Sequence, residues 1–566
     1  MKRRKFIESL ILSGYIFSDH QKVYSNIKSE RYGVPLICLT TEVLIVGAGL
    51  GGLSSSLSLL RNGLKVILTE ETDWIGGQLT QQGVPPDEHQ WVETHGTPKS
   101  YREFRSRVRD YYKQNYPLTS EALNSEYLNP GNGSVSRLCH EPKAALSVLH
   151  NLLSKYISNG QLTLLLEHKA IKSDSDDRSV KTITLENVLD KSVTEIYAEY
   201  FIDATELGDL LPITGTEYVM GTESKSETGE LHAPMVADPD NQQAFTTCFA
   251  LDYIEGEDFI QKPEEYNFWK NYVPNIEPSW SGKLLDLSYS DPRTLKPKRL
   301  GFDPSGFSTG PELNLWNYRR IIDKKNFEPG FFKGDISLIN WPQNDYMLGN
   351  LIDVSDTEFK EHVENSKQLG LSLLYWLQTE APRSDGKKGW RGLRLREDIM
   401  GTDDGFAKYP YVREARRIKA EFTVLEQHVG KENRVKVASS NENPNRASYF
   451  YDSVGVGYYH IDLHPTTKVN YVDFPSLRFQ IPLGALLPIK KNNLLPANKN
   501  IGTTHITNGC YRLHPVEWSI GEAVGLLLVF SKSKNVRPRE VRRNENLLNE
   551  FQKFLLSEGV EIEWKI

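Results

Sequence analysis

The strongest constraint on this chain is the run from Thr41 to Gly52, where the unbroken apolar stretch Val43 to Val46 passes straight into Gly47, Gly49 and Gly52. A stretch apolar at every position suits a parallel strand covered on both faces, and the glycines follow in G-x-G-x-x-G spacing. Gly47 permits a tight turn, Gly49 lets the backbone approach a pyrophosphate, and Gly52 lets the next helix pack close to the strand. The N-terminus of that helix offers unpaired N–H groups to the anion. The remainder of a strand-helix-strand unit follows in order. Leu53, Leu57 and Leu60 repeat at helical spacing, Asn62-Gly63 ends the helix, and Val66 to Leu68 form a second strand. Glu70 closes that strand 18 positions beyond Gly52, near the ~20 expected of a carboxylate that binds an adenosine ribose.

With 566 residues the chain exceeds what one core usually holds, about 250 to 300 residues, so two lobes are expected. A net charge of −7 and the lack of a groove-sized basic patch argue against nucleic acid as a partner. The 27 tyrosines and 10 tryptophans suit a protein that encloses a flat ligand, although most such rings belong to cores. Cys38, Cys139, Cys248 and Cys510 form no C-x-x-C pair, so neither a zinc knuckle nor a dithiol centre is indicated. Met1-Lys2-Arg3-Arg4-Lys5-Phe6-Ile7, with a short apolar stretch to about Phe17, looks like a twin-arginine export signal. A periplasmic or otherwise exported protein is the expectation, a cytoplasmic one with a basic tail the alternative. No segment reads as transmembrane.

The chain divides into an N-terminal signal-like segment and linker (1–40), a nucleotide-binding first part (41–214), a substrate lobe (215–480) and a closing part with the C-terminal tail (481–566). In the first part, Gly76-Gly77-Gln78 gives a second close backbone approach, helices are expected near Tyr101 to Tyr112 and over Ala144 to Tyr156, and a strand over Thr163 to Leu166. Tyr200 to Asp203 is a strand that runs into the small-residue turn Ala204 to Asp209 and returns the chain to the ligand. The substrate lobe is rich in Trp, Pro, Asn and Asp, with helices expected only near Glu358 to Thr379 and Arg413 to Glu426. Leu494 to Pro496 restores a short strand, and Val516 to Phe530 reads as a glycine-containing helix.

Taken together, Gly47 to Gly52, Glu70, Gly76-Gly77, Ile202 to Gly208 and Asn500 to Gly525 resemble the flavoprotein oxidoreductases of the glutathione-reductase-like FAD-binding superfamily. Gly76 to Thr80 with Pro85 to His89, Ser136 to Cys139, Asn340 to Asp345 and Arg413 to Arg417 are similar to the bacterial FAD-dependent oxidoreductases labelled xanthan-lyase-like. The resemblance covers Thr41 to about Lys532. It implies an α/β fold, a Rossmann-type FAD-binding domain with a parallel central sheet plus a mixed α+β substrate domain. It also implies FAD as cofactor, with Gly47, Gly49 and Gly52 at the pyrophosphate and Glu70 at the ribose. Gly76, Gly77 and Gln78 fall beside the flavin half, Asp203 at the strand end that returns to the cofactor, and Ile501 to His505 and Arg512 to Pro515 over the ring and ribityl chain. The sequence departs from the pattern at Asn498-Lys499, where related chains have a glycine before the basic residue.

Flavin performs hydride transfer, so the protein has to position the substrate, stabilise charge and move a proton. His505 and His514 lie in the segment expected at the ring, with Arg512 between them, and histidine suits a proton step near neutrality. His460, Asp462 and His464 project from one face if extended, which fits a proton relay, a metal triad or a structural surface. The match of Asp462 and His464 to the family pattern favours the relay, so His505, His464, Asp462 and Arg512 are the expected catalytic residues and no metal is expected. No G-x-S-x-G, H-E-x-x-H or P-loop motif is present, nor a second G-x-G-x-x-G unit, so a dedicated NAD(P)H domain is not expected. Flavin reoxidation then falls to oxygen, a quinone or a partner protein. The expected activity is hydride transfer between flavin and a small polar substrate, an alcohol, an amine or an activated C=C, with oxidation favoured. The alternatives are a flavin monooxygenase and a non-redox binding protein on the same fold, as Rab GDP-dissociation inhibitors are.

Overall fold

The computed structural model describes residues 36–306 and 310–565, and the export-like N-terminal segment lies outside the described residues. The first strand, β1 (Leu36–Val46), leads through the glycine turn into α1 (Leu50–Arg61) and then β2 (Val66–Glu70). β3 (Leu162–Leu166), β4 (His168–Ser175), β5 (Val180–Asn187) and β6 (Val193–Asp203) follow, and β7 (Leu494–Pro496) arrives from far along the chain. In space β3, β2, β1 and β6 lie side by side and parallel. The sheet forks at β6. Its first half pairs antiparallel with β5, which pairs with β4, while Phe201 to Asp203 pair in parallel with β7.

The expected helices are found at Lys99–Asn115 and Pro142–Ser158, and the expected closing helix is α3 (His514–Lys534), preceded by the short α2 (His505–Tyr511). Every residue of α1 from Leu50 to Leu60 is buried, because the helix lies between the sheet and α3. The crossing depends on small residues: a Cβ on Gly521 would sit 2.1 Å from the Gly51 carbonyl oxygen, and one on Gly51 only 1.5 Å from that of Ala497. Ser55 Oγ donates to Gly521 O at 2.8 Å across the same contact. Among the described residues no single helix is long and apolar enough to cross a membrane. α2 and α3 together reach that length, but they meet at a 93° bend and are buried within the protein.

The second lobe is built on a four-stranded antiparallel sheet in the order Arg320–Ile322, Ile336–Ile339, Phe249–Tyr253, Leu393–Leu395. Helix Asp356–Thr379 packs Leu369, Leu373 and Leu377 into the same core as Phe249, Leu251 and Ile339, and a Ser355–Glu358 capping box starts it.

The helix expected near Arg413 to Glu426 is not there. The segment runs extended, pairs Arg417–Ile418 with Tyr218–Val219, and only turns helical at Glu426. Arg413, Arg416 and Arg417 are each buried against acids from other segments, at Asp345, at Asp209 and Asp353, and at Glu223. These tertiary ion pairs override local helix propensity.

Candidate functional site

The carboxyl ends of β1, β2 and β6 meet at a cleft of about 470 Å³ that opens to solvent, lined by Gly47, Gly49, Glu70, Glu71, His168 to Ala170, Thr205 and Glu206 among others. This is where an open α/β sheet takes its ligand. Gly47 has φ +97°, and a Cβ there would lie 2.2 Å from Ala204 O; one on Gly52 would lie 2.0 Å from Gly47 O. A Cβ on Gly49 would instead meet Glu206 Oε1 at 3.1 Å, and one on Gly77 (φ +55°) would meet Gly49 Cα at 2.9 Å. The two glycine turns therefore face each other across the start of α1, whose N-cap Gly49 has no side-chain cap.

Glu70 reaches back along this turn. Its Oε2 accepts from Ala48 N at 2.9 Å, its Oε1 from Thr72 N and Gln81 Nε2 at 3.1 Å, and burial pushes its carboxyl up to about 7. Glu71, the neighbouring acid, lies 3.8 Å from Lys169. Asp203 ends β6 but does not line the cleft. Its Oδ1 holds Thr205 N and Oγ1 at 3.1 and 2.7 Å, and its backbone oxygen accepts from Asn500 Nδ2 at 3.0 Å. Burial pushes its carboxyl to about 7.

Asn498 and Lys499, where the sequence departs from the family pattern, tie the closing segment to the cradle. Asn498 Oδ1 accepts from Gly51 N at 3.0 Å and its Nδ2 donates to Ala204 O at 2.7 Å, so it caps α1 from outside the helix. The wholly buried Lys499 pairs with Glu206 and lies 3.8 Å from Glu517. Burial alone would lower its ammonium pKa, but the acidic neighbours, Glu206 foremost, hold it charged. Gln78 Nε2 donates to Glu517 Oε2 at 2.9 Å and to Arg512 O at 3.1 Å. Burial pushes Glu517 up to about 8.

Gln78 Oε1, Glu517 Oε1 and His514 Nε2 are buried without hydrogen-bond partners among the described residues. Buried polar atoms are normally paired. Unpaired donors and acceptors beside a side-chain-free glycine cradle fit a dinucleotide whose ring system has both kinds of edge.

The histidine candidates fall into two carboxylate-anchored pairs. His464 Nδ1 lies 2.6 Å from Asp345 Oδ2, and its Nε2 lies 3.8 Å from Asp462 Oδ2. Burial would raise Asp345, but Arg413 and His464 hold it below its usual value. His505 Nδ1 lies 2.8 Å from Glu414 Oε1, in a network with Arg417 and Glu223. Gln243 bridges the pairs, with Nε2 donating to Glu414 Oε1 and Oε1 accepting from His464 N, both at 3.0 Å. Arg512 donates to Tyr411 Oη at 3.1 Å and to Asp462 O at 2.9 Å.

His514, in contrast, accepts from Asp87 N at 3.1 Å, and burial lowers it to about 3, which keeps the imidazole neutral. His460 pairs with Asp473, its Nδ1 lying 2.9 Å from Asp473 Oδ2. The trio whose ligand atoms approach one another within 4.8 Å is His460, Asp462 and Asp473. Arg293 lies 3.2 Å from Asp473 and Arg512 3.4 Å from Asp462, so cations already neutralise both carboxylates.

Asp345, Glu414, Gln243, Tyr411 and the Asp87–Arg319 pair were not among the sequence candidates. Asp87, Asp345 and Glu414 lie within the motifs Pro85 to His89, Asn340 to Asp345 and Arg413 to Arg417, whereas Gln243, Arg319 and Tyr411 lie outside all three and carried no local signal.

A family model described as FAD dependent oxidoreductase matches residues 42–555. The chain belongs to that family. Its cofactor is FAD and its chemistry is oxidoreduction. No curated protein matches this oxidoreductase. Among solved structures, the E. coli quinol fumarate reductase FrdA is 12% identical over 92% of this chain and 74% of that one, with a TM-score of 0.32. The p-nitrophenol 4-monooxygenase PnpA from Pseudomonas putida DLL-E4 is 11% identical over 92% and 87%, with a TM-score of 0.33. The L-proline dehydrogenase from P. horikoshii is 16% identical with a TM-score of 0.18, and the match spans 33% of this oxidoreductase and 25% of that protein. Superpositions this loose transfer neither a substrate nor a mechanism.

Proposed function

We propose that this FAD-dependent oxidoreductase removes a hydride from a C–H bond beside an alcohol or amine in a small polar molecule. The observation that supports this reading most directly is His464, whose Nδ1 is held by Asp345 at 2.6 Å. With Nδ1–H donated to that carboxylate, Nε2 carries the lone pair and is free to accept the substrate O–H or N–H proton. Asp345 itself is fixed by Arg413 at 3.2 Å and stabilises the imidazolium as it forms. Arg512, bonded to Tyr411 and paired with Asp462, is linked to His464 through Asp462 Oδ2, which lies 3.4 Å from Arg512 and 3.8 Å from His464 Nε2.

FAD, when bound, accepts the hydride. The C–H electron pair leaves with the hydrogen, the proton passes to His464 Nε2, and the carbon ends doubly bonded to oxygen or nitrogen. Gly47, Gly49 and Gly52 would hold the pyrophosphate, Glu70 the ribose, and Gly76, Gly77 and Gln78 the flavin half, with Asp203 shaping the turn behind them. His505 with Glu414 is the second acid-base candidate. We further place the chain in the glutathione-reductase-like superfamily, in its xanthan-lyase-like branch, and read residues 1–40 as an export signal, with oxygen, a quinone or a partner protein as electron acceptor.

The test is anaerobic flavin bleaching during a substrate screen, repeated with His464→Ala and His505→Ala. His464→Ala is expected to slow bleaching at least about a hundredfold, as removal of a general base does, and to leave FAD content unchanged. If both variants bleach at the wild-type rate, the acid-base assignment is wrong.

A further inference from the structure

Building on the oxidation reading above, we propose that the substrate is an uncharged polyol with vicinal hydroxyls, of the sugar or sugar-alcohol class, bound between the Arg319–Asp87 and Arg512–Asp462 pairs.

The first argument is charge balance. Arg319, Arg413 and Arg512 meet Asp87, Asp345 and Asp462 at 3.3, 3.2 and 3.4 Å. The arginines and Asp87 are all at least nine-tenths buried. His514 beside Asp87, and His140 near His514, add no charge, because burial lowers them to about 3 and about 4. At the rim, Asp473 is matched by Arg293 and His460. Three guanidinia thus face three carboxylates, and a substrate carboxylate or ammonium would enter a buried site without a counter-ion.

The second argument is hydrogen-bond supply. Nε of Arg319, Arg413 and Arg512 are donors without acceptors, Asp87 Oδ1 has only the 3.3 Å ion-pair contact to Arg319 Nη1 and no hydrogen bond, and the Tyr471 hydroxyl has no partner among the described residues. A hydroxyl both donates and accepts, whereas a carboxylate only accepts and would face Asp87 Oδ1 as a like charge. Two adjacent hydroxyls can take a bond from an arginine and give one to its aspartate. The pair distances of 3.3 and 3.4 Å exceed the about 2.7 to 2.9 Å usual for charge-assisted bonds, so both pairs have capacity left for a bridging group.

The third argument is the surroundings. Arg512 bonds Tyr411 at 3.1 Å. The partly buried Tyr318 and Tyr459 have both Asp87 and Asp462 as charged neighbours, which ties the two ion pairs to one set of rings. Such rings cover the C–H faces of a polyol while the planar polar groups take its hydroxyls.

The test uses the FAD-loaded enzyme under anaerobic conditions and follows perturbation of its visible absorption band. The probes are glycerol, erythritol, glucose and propane-1,2-diol, with propane-1,3-diol, lactate and propylamine as comparators. Saturable perturbation by the polyols is expected, with propane-1,2-diol binding about tenfold or more tighter than propane-1,3-diol. Asp87→Asn and Arg319→Lys, each checked for FAD content and melting temperature, are expected to weaken polyol binding about tenfold or more while loading FAD normally. No perturbation by any polyol, or perturbation by lactate or propylamine alone, overturns the proposal. Polyols that bind but never bleach the flavin leave the substrate class standing and remove the oxidation reading. Bleaching by an amine or acid and by no polyol does the reverse.

Discussion

At the residue scale the glycines of the cradle are not equivalent, and the difference is measurable. Gly47 combines φ +97° with a Cβ position 2.2 Å from backbone, whereas the nearest neighbours of a Cβ on Gly49 are the side-chain atoms Glu206 Oε1 at 3.1 Å and Asn498 Nδ2 at 3.4 Å. Gly47→Ala is therefore expected to prevent folding of the turn. Gly49→Ala is expected to melt within about 2 °C of wild type, since its cost is well under 1 kcal/mol, yet to bind FAD about tenfold or more weakly. Differential scanning fluorimetry and FAD titration of the apoprotein check both. If Gly49→Ala loads FAD as wild type does, Gly49 is not the closest approach to the pyrophosphate.

At the level of elements, the glycine-dependent crossing of α1 and α3 is the joint that couples the closing segment to the cradle. Gly521→Ala drives a methyl to 2.1 Å from the Gly51 carbonyl, and soluble flavin-loaded protein is expected to be lost. Gly63→Ala, at φ +87° with nothing within 4 Å, serves as the control. It is expected to cost about 1 kcal/mol through backbone strain alone, and expression with flavin content reads the contrast.

The same elements show what a sequence can disclose. β1, α1 and β2 were legible because their signals are local: an apolar run, a glycine turn and a 3.6-residue repeat. The extended path of Arg413 to Arg417 was not, because its partners Asp209, Glu223, Asp345 and Asp353 come from segments about 60 to 210 residues away. The site was half legible for the same reason. His464, Asp462 and Arg512 stand out as residue types, while Asp345 and Gln243 acquire a role only once the chain has folded around them.

For the whole molecule, burial sets an unusual dependence of stability on pH. Glu70, Asp203, Glu230 and Glu522 are pushed up to about 7 and Glu517 to about 8. A carboxyl raised on folding keeps a proton that the unfolded chain releases above its ordinary pKa, so stability falls as pH rises toward the folded value. His89, His140 and His428 are lowered to about 4 and His514 to about 3, so their contribution falls as pH drops below 6.5. Below pH 6.5 the two sets oppose one another. Above it the carboxyls act without that opposition, each costing on the order of 1 kcal/mol by pH 8. His232 and His460, raised by Glu426 and Asp473 against the effect of burial, lose stability in the same direction. The melting temperature is expected to fall across pH 5.5 to 8, by several degrees in all, because the five raised carboxyls outweigh the four lowered histidines below pH 6.5 as well, and to fall less in Glu522→Gln. A curve that rises from pH 6.5 to 8 contradicts this account.

The parallel pairing of β7 with Phe201 to Asp203 has a consequence for biosynthesis. A ribosome delivers β6 long before residue 494, so the sheet emerges with that edge bare while the whole second lobe is still being made. An unpaired edge strand invites strangers. The nascent chain must therefore be shielded or kept from committing, and FAD cannot be enclosed until the last part of the message has been read.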